Sequence, residues 1–226
     1  MSDNILTPGS CEQRPWDARL ARSLVAPLAS TRVTPNHLTT VRLAVGLAGA
    51  AAFTVGTYGW ANIAALLVVL SNFLDHADGE LARISGKTSR IGHVYDLASD
   101  AAVTILLFVA MGVGVGSSSD NSLGLPPPVL GAVAGAAVAL IFFLRMRIEE
   151  MGGKVASRQA SLGGFETEDI LYLLPLVTLS NCIMPFLIAA SIGAPLFAAW
   201  VVIDYRRAVR RLKPMAASPT SGAGLV

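Results

Sequence analysis

Six apolar runs, at about 38–58, 60–80, 94–116, 127–147, 168–191 and 194–209, make up most of this chain. Most of them approach the roughly 20 residues that a helix needs to cross a bilayer. Composition agrees: 53% of the 226 residues are hydrophobic and only 14% are charged, a balance that belongs to polytopic membrane proteins. The expected fold is all-α, a polytopic membrane protein of six transmembrane helices preceded by an amphipathic interfacial helix at 14–32. Within that segment Trp16, Leu20, Leu24 and Leu28 recur every fourth residue, with Asp17, Arg19 and Arg22 between them, the pattern of a helix lying in the interface plane. No unbroken apolar region or small-residue cleavage site follows, which argues against a signal peptide. Thr34-Pro35-Asn36 breaks the pattern and offers a cap for the next helix. Residues 1–13 read as a flexible N-terminus, 36–213 as the six-helix domain, and the small, polar, proline-broken 214–226 as a disordered tail.

The basic residues orient this bundle. All 17 lie in or beside the N-terminal segment, the 81–92 turn, the 145–158 region or the C-terminal tail. The connections at Gly56–Gly59, Gly116–Pro128 and Ile192–Pro195 contain none. The positive-inside rule then puts both termini and the 81–92 turn on the cytoplasmic side of a cell inner or plasma membrane. The formal charge of +2 gives no electrostatic footprint for nucleic acid, and none is expected as a partner. Cys11 and Cys182 form neither a disulfide framework nor a Cys/His metal spacing. Gly112/Gly116 and Gly131/Gly135 give G-x-x-x-G spacings on neighbouring runs. Such spacings suit close helix packing, within one bundle or in a homodimer.

Between Asp75 and Asp100 the chain reads D-H-A-D-G-E-L-A-R-I-S-G-K-T-S-R-I-G-H-V-Y-D-L-A-S-D. Four aspartates fall there in two pairs, Asp75/Asp78 and Asp96/Asp100, each at the edge of an apolar run. Spacings of three and four put both members of a pair on one helix face, and a short turn brings the two faces together. Carboxylates clustered beside lipid need neutralising. Oxygen-only ligands point to Mg²⁺ or Mn²⁺. Intramembrane aspartates also serve cation or proton transport, which is the alternative reading.

Written by residue type, the stretch is D-x2-D-G-x2-A-R-x8-G-x3-D-x3-D, with Gly79, Ala82, Arg83 and Gly92 joining the aspartates. It resembles the signature of the CDP-alcohol phosphotransferase (CDP-alcohol phosphatidyltransferase) family, which has the same eight residue types at the same spacings. Chance agreement at eight fixed positions is on the order of one in a billion per start position. The resemblance implies an integral membrane transferase of phospholipid biosynthesis. It would move a substituted phosphate from a CDP-linked donor, most often CDP-diacylglycerol, to a small alcohol, releasing CMP. It further implies two Mg²⁺ or Mn²⁺ ions held by Asp75, Asp78, Asp96 and Asp100, with Asp100 also the general base. Arg83 would clamp the diphosphate. Gly79, Ala82 and Gly92, with Asp75 and Asp96, would line the nucleotide site. Such a diphosphate clamp separates the transferase from the transporter.

Other residues in this region have plainer readings. Glu80 occupies a free position of the motif and reads as facing the interface. Lys87 and Arg90 read as positive-inside residues, and His37, His76 and His93 as interfacial polar groups. Thr39, Asn72 and Thr88 are near enough in sequence to touch a ligand, and interfacial hydrogen bonding explains them equally well. For the acceptor two signals conflict. Arg145, Arg147, Lys154 and Arg158 resemble the basic helix end that faces a phosphorylated alcohol in some branches of the family. Glu166, Glu168 and Asp169 form an acidic rim suited to a neutral polyol or an amine.

Overall fold

The computed structural model describes residues 16–87, 89–116, 124–152 and 171–212. Among these residues every regular element is helical: α1 (Trp16–Val25), a 3₁₀ turn (Ala26–Leu28), α2 (Pro35–Thr54), α3 (Tyr58–Ser85), α4 (Arg90–Val115), α5 (Pro127–Gly152), α6 (Leu174–Leu179) and α7 (Ile183–Leu212). The expected flexible ends at 1–13 and 214–226 lie outside the described residues.

Four helices, α3, α4, α5 and α7, are long and apolar enough to cross a membrane. The protein is thus an all-α membrane protein, but the described residues give four such spans and not the expected six. Two local features account for the difference. First, α2 is 20 residues long but opens on Pro35-Asn36-His37 and carries the buried Arg42, so its apolar character is diluted. Second, the expected break at Ile192–Pro195 does not occur. The turn falls at Ser180–Cys182, where Asn181 takes a left-handed φ of 53° and the Cys182 N–H donates to the Val177 carbonyl at 2.9 Å. From there α7 runs unbroken with Pro195 inside it. Glycine and proline punctuate soluble helices, yet membrane helices tolerate them. The fifth expected run, 168–191, is therefore divided between α6 and the start of α7.

Small residues set the spacing of the bundle. A side chain at Gly131 would strike the Phe108 backbone carbonyl, and one at Gly112 would strike that of Pro127. A Cβ on Gly135 would lie 2.9 Å from Ile105 Cα. These glycines let α4 and α5 of one chain touch backbone to backbone. Gly112, Gly131 and Gly135 of the G-x-x-x-G spacings are thereby used inside the bundle. Ala64, Ala65 and Val68 of α3 pack with Phe53, Leu107, Met111, Leu130 and Leu187 to form the main core. Leu66 and Leu196 are exposed, as lipid-facing side chains are in a membrane bundle.

α1 packs across the far end of α3. Its Ala21 and Val25 are buried against Ala77 and Leu81, whereas Leu20 and Leu24 face away from the protein. Of the four-residue stripe, Leu20 and Leu24 thus turn away from α3, whereas Leu28 packs against this cluster. Lys87 fastens the segment after α1, donating from Nζ to the Thr31 carbonyl at 2.7 Å and the Val33 carbonyl at 3.3 Å. Its role is more specific than that of a flanking positive charge.

Candidate functional site

The last turns of α3 and the first of α4 form the site. Gly86 ends α3 in a left-handed conformation, φ 65°, its N–H bonded to the Ala82 carbonyl. A β-carbon is disfavoured in that region, so glycine suits the sharp stop. Ser89 caps α4, its hydroxyl accepting from the Gly92 N–H at 2.9 Å. The short connection folds the two helix ends together. As a result, carboxylate oxygens of Asp75, Asp78 and Asp96 all lie within 4.8 Å of one another. Asp100, one turn farther along α4, does not belong to that trio.

What joins Asp100 to the others is Arg42 of α2, only 2% exposed. Its Nη2 lies 2.9 Å from Asp100 Oδ1, and its Nη1 contacts Asp75 Oδ1 and lies 3.4 Å from Asp96 Oδ1. Nη2 also donates to the main-chain carbonyl of Asp96 at 3.4 Å. One turn before Arg42, Thr39 donates its hydroxyl to Asp78 Oδ2 at 2.8 Å. Of the two explanations open for Thr39, the structure gives a contact inside the site. Ser71 steadies the turn that carries Arg42, donating to the Arg42 carbonyl at 3.1 Å.

Sequence reading missed Arg42 because it was grouped with the basic residues flanking the N-terminus. Two signals mark it out: an arginine within an apolar run is expensive unless it has acidic partners, and Thr39 stands three residues before it on the same helix face.

One guanidinium cannot balance four carboxylates, so the cluster keeps an excess of negative charge. Its donors are all oxygens, and Asp96 Oδ1 is buried without a hydrogen bond, which leaves it available to a cation. Asp75, Asp78 and Asp96 thus fit a hard divalent ion. A cavity of about 110 Å³ adjoins them, lined on its polar side by Arg42, Ser71, Asn72, Asp75, Asp100 and Thr104. An apolar groove between α4 and α5 meets it at Leu97, Asp100 and Phe142.

The remaining motif positions divide. The missing side chain of Gly79 faces open space, leaving the α3 backbone approachable there. At Gly92 a Cβ would lie 2.6 Å from Asn36 Oδ1, so this glycine serves the packing of α4 on α2. Ala82 is half-buried and Arg83 exposed. Arg83 donates to Glu80 Oε1 at 2.6 Å, and Glu80 is buried, not facing the interface as expected. Of the expected acceptor residues, Arg145 stacks over the Phe197 ring at 5.3 Å and Arg147 is exposed on α5; neither lines the cavity beside Asp100. Lys154, Arg158, Glu166 and Asp169, like Thr88, lie outside the described residues.

The sequence profile of the CDP-alcohol phosphatidyltransferase family matches residues 32–204, from just before α2 to well into α7. This chain is a member of that family. It is a transferase of the phosphatidyltransferase type. It is 29% identical over 143 residues to the bifunctional IPC transferase and DIPP synthase of Rubrobacter xylanophilus, a match covering 63% of this chain and 30% of that longer protein. It is 27% identical over 191 residues to the archaetidylinositol phosphate synthase of Aeropyrum pernix, covering 84% of this chain and 90% of the relative. The fold is shared with the Mycobacterium tuberculosis phosphatidylinositol phosphate synthase. Its crystal structure with CDP-DAG bound aligns at a TM-score of 0.51 and 23% identity, over 93% of this chain and 98% of that one. The same synthase in complex with manganese and citrate aligns at 0.52 and 22% identity, over 93% of each chain.

Proposed function

We propose that this CDP-alcohol phosphatidyltransferase moves a phosphatidyl group from CDP-diacylglycerol to the hydroxyl of a small polar alcohol, releasing CMP. The observation that carries this reading is the convergence of Asp75, Asp78 and Asp96 from two helices, with Asp100 on the wall of an adjoining cavity. The apolar groove that reaches Asp100 supports a lipid-linked donor. Family membership disfavours the transporter.

Asp75, Asp78 and Asp96, with Asp100 at the edge, would hold two Mg²⁺ or Mn²⁺ ions. Bound there, such ions neutralise the diphosphate and stabilise the charge that develops on the leaving oxygen. Arg42 neutralises part of the cluster and keeps Asp96 and Asp100 oriented. Arg83 presents its remaining N–H donors to the donor's diphosphate, and Gly79 lets the nucleotide lie close to α3. The acceptor oxygen bonds to the lipid-bearing phosphorus as the bond from that phosphorus to the bridging oxygen breaks. CMP leaves with the electron pair, and Asp100 takes the hydroxyl proton.

The names of the relatives, archaetidylinositol phosphate synthase and phosphatidylinositol phosphate synthase, support a phosphorylated polyol as one candidate acceptor. Arg145, Arg147, Lys154 and Arg158 would suit its phosphate. Glu166 and Asp169 would instead suit a neutral polyol or amine. The basic residues Arg83, Lys87, Arg145, Arg147, Arg206 and Arg207 lie at the site end of α3, α5 and α7 or in the adjoining turn. By the positive-inside rule that end faces the cytoplasm, with Leu20 and Leu24 of α1 turned to the lipid interface.

The test is to incubate the purified protein with CDP-diacylglycerol and a panel of acceptors, then identify the lipid product by mass spectrometry. A new phosphodiester lipid carrying one acceptor, formed with equimolar CMP, is expected. No product with any acceptor would overturn the reading.

A further inference from the structure

We infer that Glu80 is a positioning residue that ties α1 to Arg83 and so sets the affinity for the CDP-linked donor. The donor half of this inference rests on the transferase reading, whereas the tie itself does not.

Glu80 stands two residues after Asp78, on a stretch of α3 that buries Ala77 and Leu81 against Ala21 and Val25 of α1. Its carboxylate is 1% exposed. A charge buried beside such an apolar patch is costly unless it is paired, and Glu80 is paired through both of its carboxylate oxygens. Oε1 accepts from Arg83 Nη1 at 2.6 Å, one turn along α3. Oε2 accepts from Arg22 Nη1 at 3.5 Å, across from α1 and 58 residues earlier in the chain. Both arginines are about half exposed, 59% for Arg83 and 49% for Arg22. The acid is sealed in while its partners reach the surface. An i,i+3 pair made only to solubilise a helix surface has no need of a buried acid.

The arrangement has a consequence for Arg83. Its guanidinium is anchored at one Nη, which restricts its rotamers and leaves the other N–H donors for an incoming diphosphate. Gly79, adjacent to Glu80, faces open space, so a ligand can approach this side of α3. Arg22 draws on the second oxygen of the same carboxylate, so the seating of α1 and the pose of Arg83 are set by one group. Lys87, bonded to the Thr31 and Val33 carbonyls, fastens the chain after α1 to the turn that follows Arg83. α1 and its linker are therefore held at two points to the segment that carries the aspartates.

The experiment pairs hydrogen exchange on the full chain in lipid nanodiscs with steady-state kinetics of CMP release. The variants are Glu80→Gln, Arg22→Ala and Arg22→Lys. Glu80→Gln keeps the shape and one acceptor but removes the charge that both arginines share. Exchange at the amides of residues 22–25 should quicken about tenfold in Glu80→Gln and in Arg22→Ala. The donor KM should rise about tenfold in Glu80→Gln and about threefold in Arg22→Ala, with kcat within about twofold of wild type. Arg22→Lys should restore both readouts toward wild type. Arg22 is half exposed, so its variants test the tie even if Glu80→Gln folds poorly. Unchanged α1 exchange in both Glu80→Gln and Arg22→Ala would overturn the tie. Faster exchange with an unchanged donor KM would overturn its link to Arg83. Absence of CMP release from the wild-type protein would sink the transferase reading, and the exchange data would still decide the tie.

Discussion

Arg42 Nη2 lies 2.9 Å from Asp100 Oδ1, so the residue proposed as general base is held by a helix outside the aspartate motif. The same guanidinium reaches Asp75 and Asp96, and α2 thereby becomes part of the site. Replacing Arg42 by Met should leave those carboxylates uncompensated. Breaking a buried pair from one side costs about 3–5 kcal/mol, so thermal unfolding without metal should shift down markedly. Added Mn²⁺ should recover more of the loss than it adds to wild type, since the ion supplies the missing positive charge. Equal Mn²⁺-induced shifts in variant and wild type would count against this role.

Asp100→Asn should separate chemistry from donor binding. The amide keeps the shape and one ligand oxygen but takes no proton from the acceptor. Losing a general base typically lowers the rate by about 10²–10⁴-fold. The donor KM should change far less, because Asp75, Asp78 and Asp96 keep their cluster. Similar losses in kcat and in donor affinity would make Asp100 a ligand only.

Gly131 touches the backbone of Phe108, and Gly131→Val should force α5 away from α4. Overpacking of this kind costs about 1–3 kcal/mol. A lower unfolding temperature in detergent is expected. Stability equal to wild type would show that the two helices part without cost.

Orientation can be read from the native cysteines. Cys182 is exposed in the α6–α7 turn, at the end of the bundle opposite the basic residues. In a Cys11→Ser variant an impermeant thiol reagent should label Cys182 in intact cells. In a Cys182→Ser variant it should label Cys11 only after permeabilisation. The reverse pattern would place the site away from the cytosolic nucleotide pool.

How far the chain could be read without its structure depends on where each signal lay. The Asp75, Asp78 and Asp96 cluster was legible because helical spacing alone puts the members of each aspartate pair on one face and a short turn brings the two faces together. Arg42 was less so, since its partners lie on α3 and α4, and only its place inside an apolar run sets it apart from a flanking charge. Glu80 sits at a free position of the motif, and its burial follows only from α1 lying over α3. The α6–α7 turn was misplaced because Gly193 and Pro195 are stronger local punctuation than Asn181, whose left-handed turn is visible only in the backbone. On α1 the regular spacing of Leu20 and Leu24 marks the exposed face, and Ala21 and Val25, whose register is less conspicuous in the sequence, make the contact with α3.

CMP release by the purified protein tests the central claim most directly. With CDP-diacylglycerol and an acceptor alcohol present, release should require Mg²⁺ or Mn²⁺, stop on chelation, and resume when either ion is restored. Release at full rate in metal-free buffer would contradict the account.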